Sequence, residues 1–235
     1  MEEANELQKR ILEKIDIPQF KALLENPTPK IEWTPVKQYA ERILKRSDEC
    51  GWGFSKSDVI NLASNLKEHS GSLYPSSINI WLGEDIEHNW AEAINWLRDE
   101  VDSLSYSLQT YFEPRQVSFT PNSEQSGPKC LKSIQLDLAT YWDPICGISP
   151  FKIKQTKSIW PGLEIVWLLA LNPQIFLDMD GLNIPYLIAP GLSIDSGLPC
   201  FYNDSNVHKV HAFCDWNDGR QWKSASMVTF AESFQ

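Results

Sequence analysis

Cys200, His208, His211 and Cys214 fall within one stretch, "CFYNDSNVHKVHAFC", in a chain that has only four histidines and five cysteines. Thiolates and imidazole nitrogens are zinc ligands, so the first question is whether this stretch holds a metal. The spacing argues against it. Val207 to Asn217 alternates as a strand does and runs into Asp218-Gly219, a common hairpin turn pair. At about 3.3 Å per residue, His208 and Cys214 stand roughly 20 Å apart, whereas zinc holds each ligand at about 2.0–2.3 Å. His208 and Cys214 also share one face of such a strand, and His211 points to the other. Only a set completed from a distance, by His69 or Cys146, would rescue the site. No metal and no cofactor is expected, and Val210, Ala212, Cys214 and Trp216 are expected to form the buried face.

Other chemistry-bearing fragments are weaker. Asp178 and Asp180 ahead of Gly181 begin like a calcium loop, but the twelfth position, where the bidentate glutamate belongs, is Ala189. Glu164 is the one charge in an apolar helix; it sits in the first turn, where exposed amides and the helix dipole favour a carboxylate. Around Ser193, "GLSIDSG" puts Asp195 where a nucleophile elbow needs glycine. No glycine-rich phosphate loop occurs. What is left near the C-terminus is a group of aromatic, cationic and titratable residues: Tyr202, His211, Asp215, Trp216, Arg220 and Trp222. Clustered Trp, Tyr and Arg are typical of interface anchors. A histidine that titrates near neutrality also suits a ligand contact or general base, with Asp215 or Glu164 assisting.

One stretch, "SDVINLASNLKEHSGSLYPSSINIWLGEDIE", has a pattern that resembles a repressor-type helix-turn-helix, with Leu62-Ala63 in a first helix and Ser76 to Leu82 as a second. That second segment has no Lys or Arg, and Glu84, Asp85 and Glu87 follow it, which sets carboxylates against phosphates. The whole chain carries 21 basic and 31 acidic residues, a formal charge of −10, and so repels nucleic acid overall.

The elements that must position these residues read as helices first and strands second. Leu7, Ile11 and Ile15, then Phe20, Leu23 and Leu24, give an amphipathic helix interrupted at Pro18. Thr34-Pro35 is a natural helix start, and a further helix spans about Ser57 to His69. The longest period runs from about Gly83 to Phe112, through Trp90, Ala93, Leu97, Val101, Leu104, Leu108 and Tyr111. Such a stripe is the spine of a bundle or, less simply, a seam for self-association. Residues 113–129, rich in Pro, Ser, Asn and Gln, read as a linker. Beyond it come a half-buried strand at Ile134, Leu136 and Leu138, a helix "LEIVWLLAL" apolar on all sides, and short strands joined by tight turns.

The expected fold is therefore α+β: a helical region over 1–112, a linker over 113–129, and over 130–235 a mixed, mainly antiparallel sheet with one buried helix, the two regions being separate domains or packed as one. The 235-residue chain, 42% apolar with ten tryptophans, has ample material for a core. With no secretory signal, no apolar run of about 20 residues and no paired cysteine spacing, it is expected to be cytoplasmic. The leading functional expectation is a non-enzymatic module that binds another protein. The alternatives are an enzyme or small-molecule binder centred on the C-terminal hairpin, and a DNA-binding regulator.

Overall fold

The computed structural model describes residues 33–66, 76–111, 117–120, 127–137, 161–178, 187–194, 197–204, 206–215 and 230–233. These form an α+β fold with antiparallel and mixed sheets. The expected helix before residue 33 and Cys146 lie outside them.

Helix α1 spans Val36–Cys50 and ends at Gly51, whose left-handed φ of 68° suits a residue without a Cβ. Thr34 does not cap it. Its N–H instead donates to Asn172 Oδ1 and its hydroxyl to the carbonyl of Leu171, so the helix opens one residue late, after Pro35. Helix α2 covers Lys56–Asn65, with Ser55 capping the Asp58 amide.

The chain then departs from a run of helices. Ser76–Trp81 is strand β1, so the expected second helix of a helix-turn-helix does not form. Its alternating Ile78 and Ile80 are β-branched, and its six residues pair antiparallel with β4, Cys130–Asp137. Strand β9, Phe230–Ser233, completes the sheet on the far side of β4.

Helix α3 runs from Ile86 to Ser103, capped by Asp85. Its stripe of Trp90, Ala93, Ile94, Leu97 and Val101 is buried in this chain's own core. The long expected helix thus stops nine residues short of Phe112. Serines 103, 105 and 107 favour local side-chain bonds over a helix, Ser105 takes a φ of 64°, and the chain re-emerges as β2, Ser107–Thr110. Within the expected linker, Val117–Phe119 forms β3, which pairs with β6, Leu192–Ile194.

Helix α4, Leu163–Leu171, is buried at every position, as its sequence implies. It packs against both α3 and β1. Trp167 at its centre meets Trp52 and Trp96 at ring distances of 5.8 and 6.0 Å, and its indole N–H donates to the Ile80 carbonyl. The carbonyls at its C-terminal end are taken by Thr34, Arg42 and Asn172. A single turn, α5 (Ile175–Asp178), follows.

The second sheet has the order β2-β8-β7-β5, with β5 at Leu187–Ile188, β7 at Leu198–Asp204 and β8 at Lys209–Asp215. Strand β2 joins it parallel to β8, and β7 joins antiparallel. Residues near the middle of the chain therefore lie beside residues near its end.

Candidate functional site

The site is built where β2, β8 and β7 run side by side. Register sets Gln109 of β2 beside His211 of β8, and His211 directly opposite Tyr202 of β7. Side chains alternate across a strand, so Val210 and Ala212, both fully buried, occupy the face opposite His211. That core face receives Phe201, which packs on Trp90 of α3.

On the other face three rings come together. The His211 ring lies near-parallel to Tyr202 at 4.6 Å and near-parallel to Tyr111, just past β2, at 5.6 Å. His211 Nδ1 and the Tyr111 hydroxyl are 2.9 Å apart, a hydrogen bond. Tyr111 is 56% exposed, whereas His211 is only 7% exposed. Burial pushes the imidazole pKa below the ordinary histidine value; Asp204 opposes that shift and Lys209 reinforces it. The shift favours the neutral ring. Nε2 is buried and has no hydrogen-bond partner. A neutral imidazole donates through one nitrogen and accepts through the other, so the Tyr111 hydroxyl selects what Nε2 offers.

Two of the six sequence-selected residues, Tyr202 and His211, thus come into direct contact. Asp215 ends β8, paired with Leu198, four residues along the strand from His211. Trp216, Arg220, Trp222 and the Asp218-Gly219 turn lie outside the described residues. His211 is more deeply buried than a surface histidine, because the two phenol rings cover it. His208 is not in the strand. It is exposed, with a φ of 52°, in the turn that links β7 to β8, and its ring is 5.1 Å from Tyr106. That turn is closed by Asp204, whose side chain accepts from the Asn206 amide. Cys200 is buried in β7, opposite Phe213. Among the described residues no three His, Cys, Asp or Glu side chains converge on a point where an ion would sit.

Tyr111 is the residue that sequence reasoning misplaced, having set it on a helix stripe. The signal was available in "SYSLQTY", where serines and a threonine break the helical run and polar residues alternate with Leu108. Glu164 is held as its position in the first turn implies: one carboxylate oxygen accepts from the Gly162 N–H at 2.7 Å, the other from Asn79 Nδ2 at 2.9 Å. Ser193 lies in β6, paired with Ser118, and is on no sharp elbow. Asp178 ends α5, and Asp180 lies outside the described residues.

A groove of about 340 Å³ between α1 and α3 is lined with charges, but Arg42 pairs with Glu100 and Arg46 with Asp99, each at 2.6 Å. These opposite charges are paired within the groove. Among the described residues no helix is long and apolar enough to cross a membrane. No protein-family model, curated protein or solved structure matches this chain.

Proposed function

We propose that this protein is a non-enzymatic module that binds another protein through the Tyr111, His211 and Tyr202 face of its second sheet. The observation that carries the reading is the exposed Tyr111 ring, fixed by a hydrogen bond to a buried histidine that is itself stacked on a second tyrosine. A rigid, amphipathic ring held in place loses little conformational entropy on binding, which is why tyrosines anchor interfaces. The acidic chain, at −10, suits a protein partner over a nucleic acid. Free thiols at Cys50 and Cys130 suit a reducing compartment such as the cytoplasm.

Affinity capture from native extract tests the reading, with wild type, Tyr111→Ala and an Ile60→Ala control on α2, where Ile60 is also exposed. A partner bound by wild type and by the Ile60 variant is expected to weaken about tenfold or more with Tyr111→Ala. Equal capture by all three would remove this face from the interaction.

A second reading, a small-molecule binder or enzyme, is favoured by the lone nitrogen His211 Nε2. Native mass spectrometry separates the two. A small molecule retained by wild type and lost from both His211→Gln and Asp215→Asn would favour the second reading; retention in both variants would dismiss it.

A further inference from the structure

Strand β2 is the edge of its sheet. The Ser107 and Tyr111 amides donate to the His208 and Ala212 carbonyls of β8, each at 3.1 Å. In a parallel ladder the N–H and C=O of a residue point the same way and alternate along the strand. Leu108 and Thr110 therefore turn both backbone groups away from β8, and no described strand pairs with them.

Two other sheet edges are closed. Strand β1 is buried throughout, and its Ser76 and Ile80 carbonyls accept from the Tyr39 hydroxyl and the Trp167 indole. Strand β5 has two residues, both buried. Folded proteins commonly blunt an open edge with lysine, proline or a bulge. The run from Tyr106 to Tyr111, "YSLQTY", contains no charge and no proline.

We propose that β2 is a strand-addition site that takes an extended, basic segment of a partner protein, its backbone pairing with Leu108 and Thr110 and its side chains meeting Tyr111. This rests on the reading that this end of the sheet binds a protein, and specifies how. Basic character follows from the chain's charge of −10 and from exposed Asp102 just upstream. A second copy fits poorly: it would bring like charge to like, and a four-residue strand pair offers much less than the roughly 1,200 Å² of a stable interface.

The full chain, selected against a displayed library of random peptides, supplies the test. Selected peptides are expected to alternate Lys or Arg with β-branched residues. Thr110→Pro deletes one outward N–H and leaves the β8 ladder intact, and is expected to weaken those peptides about tenfold with an unchanged far-ultraviolet spectrum. Amide exchange in wild type gives a readout independent of that variant. The Leu108 and Thr110 amides should exchange fast in the free protein and slow down with saturating peptide, while Ser107 and Tyr111 are protected throughout.

Failure to select any peptide, peptides that ignore Thr110→Pro, or Leu108 and Thr110 amides already protected in the free protein would each overturn strand addition. So would a dimer that Thr110→Pro dissolves, since the occupant would then be a second copy. A partner lost with Tyr111→Ala but kept by Thr110→Pro would leave the tyrosine face standing and strand addition refuted. The opposite pattern would refute the face and keep the strand.

Discussion

His211 is the residue where burial and chemistry meet. In the unfolded chain its imidazole titrates near 6.5, and in the folded protein lower, because burial disfavours the cation. As pH falls through the ordinary histidine range, the unfolded state takes up the proton first. The stability held at neutral pH is thus lost on acidification, down to the folded pKa, below which it levels off. Urea denaturation at about pH 7.5 and about pH 5.5 checks this, with His211→Gln expected to flatten the difference between the two midpoints. Asp204 opposes the shift, so Asp204→Asn should make the acid loss steeper. An acid dependence unchanged in both variants would show that other groups set it. Tyr202 and His211 stand out in the sequence because aromatic and titratable letters cluster near them. Their stacking does not, since it depends on the pairing of β7 with β8.

At the scale of elements, local signals and tertiary ones divide cleanly. Helix α4 was legible because a run apolar but for Glu164, between Pro161 and Pro173, has only a buried place to go. Strand β1 was misread because Ile78 and Ile80, three and five residues after Pro75, suit either element, and only pairing with β4 decides. The turn after β1 offers a test of how tightly that sheet is closed. Gly83 has a φ of 79°, and a Cβ there would lie 2.9 Å from the Lys129 backbone nitrogen. Gly51 has a similar φ of 68° and open space around it. Gly51→Ala should cost about 1 kcal/mol, the conformational term alone, and Gly83→Ala about 1–3 kcal/mol more, since backbone must move. Equal midpoint shifts for the two variants in urea would show that the approach of Lys129 is not tight.

At the scale of the whole molecule, the stretch at 113–129 reads as a linker that leaves one domain or two open, and strands on either side of it share both larger sheets. Strand β1 pairs with β4, and β2 with β8. Helix α4 supplies the centre, where Trp167 sits against Trp52 and Trp96. Composition reports what a segment is made of, while such long-range pairings are set by which faces fit, so this part of the fold had no sequence signal to read. A chain ending at residue 112 keeps α1, α2 and α3 but loses Trp167 and the β4 and β8 partners of its strands. Trp52, Trp90, Trp96, Ile78 and Ile80, all buried in the full chain, would then face water. Burying a large apolar side chain contributes about 1.5–3 kcal/mol, so losing that cover at several positions exceeds the roughly 5–15 kcal/mol by which a domain is stable. The fragment 1–112 is expected to show a collapsed amide spectrum and no cooperative melt, whereas the full chain melts in a single transition followed by its tryptophan fluorescence. A fragment with dispersed amide resonances and a sharp melt would mean that the helices hold a core of their own.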